Sequence, residues 1–367
     1  LDLLNGQTVK TKIVYKEMKN AFGCNEVMKV DTYGGIKTLV KTPIIVLNAL
    51  IHSQNVIILP AENGLRIIAP LLITFNKVFK RNICYDVIGG WLPEFVNKRK
   101  WLGAFLKKIN YIFVETESMK EQLESQGYDN VEVIPNCKEL DILDAKTIKY
   151  TEGIPYRLCT FSRVIKEKGI EDAVQAVCEI NSKYDDIFAE LDIYGQIEDS
   201  QKEWFEQLQV SLPQYIRYKG MVPFNQSTEV LKNYDALLFP TYYEGEGFAG
   251  TIIDAFAAGL PVIASDWKYN SEIIKQGITG VITKTHSISE LKNAILSINS
   301  DVEKWNFMRK NCISEAKMYL PANAMKKLIS SHLCYLNLKK SIIMIDFRFS
   351  IVLLLFNFSS VSNCNTS

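Results

Sequence analysis

Two acids, Glu246 and Asp254, stand with seven residues between them in a segment patterned to hold an anion. The segment Ala236–Asp266 reads ALLFPTYYEGEGFAGTIIDAFAAGLPVIASD, in the order strand, glycine-rich loop, helix, strand. Gly245, Gly247 and Gly250 let backbone N–H groups come close to a ligand, and a helix opening near Thr251 turns free N–H groups and a positive dipole end toward a diphosphate. A second set of charges precedes it: Phe161–Gly169 reads FSRVIKEKG. There Arg163 supplies a planar fork and Lys168 a point charge, both suited to phosphate oxygens. Alone these are surface charges; one strand-helix unit into the half that carries the acids, they can stabilise charge on a departing phosphate group.

Two other readings fit the same residues. Gly245, Gly247 and Gly250 satisfy the GxGxxG spacing, and Asp266 closes the following strand roughly where a dinucleotide enzyme carries its ribose-binding acid. Against that, a dinucleotide turn begins at the end of its strand, whereas Thr241–Glu244 intervene here and carboxylates crowd the loop. The blander alternative is a solvated acidic loop capping a helix.

The segment resembles more specifically the signature of glycosyltransferase family 4, in which an acidic pair spans a glycine loop and a helix start, followed by a run of the type EAxAxGxPVIAS. Here Glu246 and Asp254 are followed by AFAAGLPVIAS over Ala255–Ser265. The resemblance implies that Glu246 lies beside the donor sugar and that Asp254, one turn into the helix, accepts the ribose hydroxyls. It makes Gly247, Phe248, Ala249, Gly250 and Thr251 the donor-binding loop. Two departures stand out: the second acid is usually Glu, and an additional Glu-Gly after Tyr243 lets Glu244 compete with Glu246.

Phe161–Gly169 resembles the GRxxxxKG element of the same family, which implies that Arg163 and Lys168 stabilise the leaving nucleoside diphosphate. LDIYGQ over Leu191–Gln196, YKGMVP over Tyr218–Pro223, and Ser271–Glu272 ahead of Gly280 extend the resemblance over roughly residues 155 to 320. They bring Gly195 and Val222 to the donor. The resemblance implies a retaining, hexosyl-type transfer from a nucleotide sugar to a glycan or lipid-linked saccharide, in surface polysaccharide synthesis. No DxD pair of aspartates occurs, so metal independence is expected, with no cofactor. A nucleotide-sugar epimerase of similar fold, and a non-catalytic nucleotide-sugar-binding protein, stay open as alternatives.

These residues need elements to position them. Short apolar runs at Val56–Leu59, Ile83–Ile88, Tyr111–Val114 and Val131–Ile134 read as buried strands, separated by helical patterns such as Ser118–Gln126. The periodicity lapses near residues 138 to 153, and a second series follows at Arg157–Ser162, Leu191–Tyr194, Ala236–Phe239, Val262–Ala264 and Val281–Ile282. Strands alternating with helices predict an α/β fold of two doubly wound halves, and the resemblance implies that these are the two Rossmann-like domains of a GT-B fold facing a central cleft. The expected domains are residues 1–148 and 154–320, which the resemblance makes the acceptor-side domain and the nucleotide-sugar domain. Residues 321–338 form a helix returning to the first domain, with Pro321 dividing the helical stretch that precedes it. Residues 339–367 are atypical, either a poorly ordered tail or residues read from a wrong frame.

Asn5–Gly6–Gln7–Thr8 resembles the glycine loop that follows the first strand in the family, with Gly6 at the donor. That first strand is then missing, and its absence would expose two sheet edges. The chain begins with Leu1 rather than Met and reads as lacking its true start. Gly90 and Trp91 end a strand where an acceptor can pack on the indole, or Trp91 is a core or loop residue.

The net charge of +1 gives no global field for nucleic acid, and eight scattered cysteines without a CxxC pair fit a reducing cytosol. From Lys77 to Lys108, eight basic residues interleave with Trp91, Phe95, Trp101 and Phe105 against two acids. The segment is either a contact with the anionic inner face of a membrane or a solvated basic face.

Overall fold

The computed structural model of the chain describes residues 6–31, 36–326, 328–329 and 342–346. They build two six-stranded sheets, parallel throughout. The first contains β1 (Val27–Asp31), β2 (Asn55–Ile58), β3 (Asn82–Asp86), β4 (Tyr111–Val114) and β5 (Val131–Val133). The second contains β6 (Tyr156–Phe161), β7 (Ala189–Tyr194), β8 (Ile216–Gly220), β9 (Ala236–Phe239), β10 (Val262–Ser265) and β11 (Gly280–Thr283), in the order β11-β10-β9-β6-β7-β8. Parallel strands connected by helices are covered on both faces, so they need unbroken apolar runs. β2, β9 and β10 are buried at every position. Along β2 and β3, Val56, Ile58, Ile83 and Tyr85 face one helical layer, while Ile57, Leu59 and Cys84 face the other.

The gap expected in the first sheet is filled. β12 (Ile342–Asp346) lies between β1 and β2, parallel to both, with Val27 opposite Ile342 and Ile345 opposite Ile58. Ile342 and Met344 pack with Ile13, Val14 and Met18 of the helix Gly6–Phe22, and Ile343 and Ile345 pack into the opposite layer. The expectation of two exposed edges is therefore corrected. A central parallel slot accepts any short strand that is apolar on both faces, and IIMI satisfies it where a mixed-face segment would not. The tail assigned to residues 339–367 thus contains a core strand; residues 347–367 lie outside the described residues.

The helix Val302–Ala316 ends in a tight turn, and Pro321 opens the short helix Pro321–Ala324 at a position where its missing N–H is harmless. Met325 and Leu328 then reach Ile13, Val14 and Met18. Residues 330–338 of the expected returning helix lie outside the described residues. The connection between β5 and β6 lies against the second domain, with Leu143 N–H donating to Ala257 O at 2.9 Å. The six described cysteines are free, and no helix among the described residues is long and apolar enough to cross a membrane.

Candidate active site

The order of the second sheet reverses between β6 and β9, and a crevice of about 570 Å³ opens beyond the carboxyl ends of these strands. Two glycines allow this corner to close. Gly195, at φ +140°, follows β7, and a Cβ on it would come within 1.7 Å of Ser162 O. Gly169, at φ +70°, follows the turn that carries Lys168, and a Cβ there would meet Pro240 O at 2.1 Å. Any larger residue would push apart the turns bearing Arg163 and Lys168.

Lys168 Nζ donates to Glu246 Oε2 at 2.5 Å, both side chains are buried, and Thr241 Oγ1 donates to the same oxygen at 2.9 Å. The ammonium also lies 5.1 Å from the Tyr243 ring and 5.3 Å from that of Phe239. Arg163 is more exposed: its guanidinium lies 5.1 Å from the centre of the Tyr243 ring and meets Glu198 at 3.3 Å. The helix Gly250–Ala257 starts at the crevice, and its cap residue Ala249 has no side-chain acceptor, so first-turn N–H groups are available to an anion. Thr251 Oγ1 donates to Phe161 O at 2.7 Å and ties this helix start to the end of β6.

Asp254 projects from one turn into that helix and is largely buried. Lys138 Nζ donates to its two oxygens at 2.7 and 2.5 Å, and sits 4.0 Å from the Phe224 ring. Burial raises the Asp254 pKa, and the ammonium opposes that rise. Lys138 belongs to the connecting segment, where nothing in the local pattern marks it; a lysine far along the chain from its acid is visible only in the folded molecule.

The first domain adds a second buried charge cluster. Lys10 Nζ, in the helix Gly6–Phe22, lies 3.1 Å from Glu115 Oε1 and 3.2 Å from Asp86 Oδ1, and donates to Val87 O at 3.1 Å. Burial works against its charge, but Asp86 and Glu115 outweigh burial and raise its pKa; burial raises that of Asp86. The second Glu115 oxygen accepts from Gly89 N–H at 3.2 Å and, across the cleft, from Phe248 N–H at 3.3 Å. Glu272 of the second domain likewise accepts from Glu117 N–H, Ser118 N–H and Ser118 Oγ at 2.5, 3.1 and 2.7 Å, capping the helix Glu117–Glu124. These contacts hold the two domains closed over the crevice.

Of the residues singled out in the sequence, Arg163, Lys168, Gly195, Val222, Glu246, Gly247, Phe248, Ala249, Gly250, Thr251 and Asp254 line one crevice. Glu244 does not: it is 74% exposed and pairs with Lys268, so its competition with Glu246 is resolved. Gly6 opens the first helix, which reaches the crevice through Val9 and Lys10. Gly90 and Trp91 stand outside the crevice wall. Gly90 abuts the loop backbone, where a Cβ would meet Glu246 O at 2.4 Å. Trp91 turns inward, donating to Ile88 O and packing edge-on against Phe95. The dinucleotide geometry is absent as well: β9 ends at Phe239, the helix begins only at Gly250, and Asp266 is exposed.

Residues 145–317 match the family model of the glycosyl transferases group 1. The GtfA subunit of a UDP-N-acetylglucosamine–peptide N-acetylglucosaminyltransferase from Streptococcus gordonii is 29% identical over 183 residues, 49% of this chain and 35% of that protein. A phosphatidyl-myo-inositol mannosyltransferase from Mycobacterium leprae is 25% identical over 233 residues, 62% of this chain and 58% of that one. The chain spans between 35% and 60% of the length of the first curated relatives it matches. Among solved structures, Anabaena HepE in complex with UDP and glucose superposes with a TM-score of 0.65 at 14% identity, over 88% of this chain and 94% of that one. The two parallel-sheet domains around one crevice are the GT-B fold.

Proposed function

We propose that this GT-B chain is a glycosyltransferase that moves a hexosyl group, with retention and without a metal, from a nucleotide sugar to a glycan or lipid-linked saccharide. The reading includes work in the cytosol, in surface polysaccharide synthesis, with peripheral attachment to the inner face of a membrane. The observation that supports it most is the convergence of Arg163, the Lys168–Glu246 pair, Asp254 and the start of the helix Gly250–Ala257 on one crevice. The match to a family of glycosyl transferases supports the same reaction class.

In this reading the anomeric C–O bond to the diphosphate breaks while the acceptor oxygen bonds to the same face of the sugar. Arg163, Lys168 and the first-turn N–H groups stabilise the charge that develops on the leaving diphosphate. Burial of Lys168 beside the rings of Phe239 and Tyr243 makes its interaction stronger than in water. Glu246 orients the donor sugar and holds the Lys168 ammonium in place, while Asp254 accepts the ribose hydroxyls. The departing phosphate takes the acceptor proton, so no separate base is needed. With fixed cations already facing the leaving group, the role a divalent ion plays in other transferases is filled by side chains.

The test is release of nucleoside diphosphate from a panel of nucleotide sugars, with and without saccharide acceptors, and determination of the anomeric configuration of the product by NMR. Acceptor-dependent release with retained configuration is expected. A new free sugar isomer formed without acceptor would make the chain an epimerase, and binding without release would make it a non-catalytic nucleotide-sugar-binding protein.

A further inference from the structure

The helix Ile36–His52 joins β1, an edge strand of the first sheet, to β2, and packs against the helix Glu62–Phe79 on one layer of the domain. It buries Thr42, Val46, Ala49 and Leu50. Its outward side is also apolar: Val40 is 73% exposed, Ile44 70%, Leu47 39% and Ile51 47%. Spacings of four, three and four residues place these on a single stripe along the helix. At the end of the neighbouring helix Val78 is 79% exposed, and Arg81 Nε donates to Leu50 O at 2.8 Å, bringing the two helix ends together. A continuous exposed stripe of this kind is unusual for a surface helix in water.

The charge around the stripe is of one sign. Between residues 36 and 85 the sequence holds Lys37, Lys41, Arg66, Lys77, Lys80 and Arg81 against a single acid, Glu62. Lys41, Lys77 and Lys80 are exposed. By contrast, the aromatic residues of the basic segment from Lys77 to Lys108 largely face inward: Phe95 is buried beneath Arg66 and Arg99, Trp91 packs on Phe95, and of the four only Trp101 is exposed. The apolar component of a membrane contact therefore comes from a different element than the basic-aromatic spacing suggests.

We propose that the outer side of the helix Ile36–His52, with Val78 and the basic residues at the adjoining helix end, is a docking surface for an anionic lipid bilayer. The stripe enters the boundary between headgroups and acyl chains, and the lysines remain among the headgroup phosphates. A second copy of the chain fits this face less well, because pairing it with itself would set like charges against one another at the rim. The inference rests on the peripheral attachment proposed above, but vesicle binding needs no donor, acceptor or turnover, so its failure leaves the transfer chemistry standing.

The test is flotation of the purified chain with vesicles of phosphatidylcholine alone and of phosphatidylcholine containing about one-third phosphatidylglycerol. Binding is expected only to the anionic vesicles, falling as salt screens the lysines. The double variant Ile44→Glu/Leu47→Glu should weaken partitioning by at least about tenfold with unchanged circular dichroism and Tm, because both side chains already face solvent. Lys77→Gln/Lys80→Gln should remove much of the salt-sensitive part while leaving the apolar stripe. Equal binding by the glutamate variant, or no binding to anionic vesicles, overturns the proposal. A dimer in solution that the glutamate variant converts to monomer overturns it in favour of a self-interface.

Discussion

Replacing Lys138 by Met removes one charge from the crevice and nearly preserves volume. Lys138 Nζ bonds both oxygens of Asp254 at 2.7 and 2.5 Å in a site where the two side chains are 11% and 7% exposed. Breaking one half of such a buried pair costs about 3–5 kcal/mol if the remaining carboxylate stays charged. The other route is protonation: bringing an ordinary aspartate to its neutral form at pH 7 costs roughly 4 kcal/mol, at 1.36 kcal/mol per pH unit. The two routes agree on a loss of roughly 3–4 kcal/mol near neutrality.

The sign with pH follows from the direction of the Asp254 shift, which burial already makes upward. An acid whose folded pKa lies above its unfolded value contributes stability that is fully present below the unfolded pKa and is lost as pH rises through the folded one. Without Lys138 the upward shift is larger, so the deficit of the variant should grow from the acid side toward neutral pH. Urea unfolding of both proteins at a series of pH values, followed by tryptophan fluorescence, measures this. If Asp254 holds the ribose as proposed, binding of a nucleoside diphosphate should weaken about 10- to 100-fold where Asp254 is protonated, because a neutral carboxyl makes weaker bonds to ribose hydroxyls, and should recover as pH rises. A difference in stability that is absent, or flat with pH, would refute the claim that Lys138 neutralises Asp254.

Arg163→Ala should lower the rate of transfer by roughly 10²–10³-fold with folding intact, since the guanidinium is half exposed; single-turnover rates measure it, and an unchanged rate removes Arg163 from the site. Met344→Ala should cost about 2–5 kcal/mol in the first domain, because the side chain is fully buried in the central strand. Hydrogen exchange at Val27–Asp31 and Asn55–Ile58 should then accelerate, and unaltered protection would contradict the placement of β12. Glu272→Ala removes an interdomain contact to the start of the helix Glu117–Glu124, which keeps its Thr116 cap, and should open the cleft, raising the radius of gyration in small-angle scattering and raising KM more than it lowers kcat. No change in either would assign Glu272 a local role only.

The sequence by itself determined the alternation of strands and helices, the division into two α/β halves, and the crevice-lining segments of the second half. These are local properties: a buried parallel strand must be a short apolar run, and a phosphate-binding turn must carry glycines and a helix start within a few residues. Within those segments the resemblance to a known family singled out Arg163, Lys168, Glu246 and Asp254, and they meet in the crevice. What only the tertiary structure decided lies between segments distant along the chain. Lys138 reaches Asp254 and Glu115 reaches Phe248 over 116 and 133 residues. Five residues near the end complete a sheet begun at Val27. Local sequence fixes the conformation of a segment and which of its faces is apolar; the partner it meets follows from which open slot or unpaired charge the rest of the fold presents, and no window of the sequence contains that.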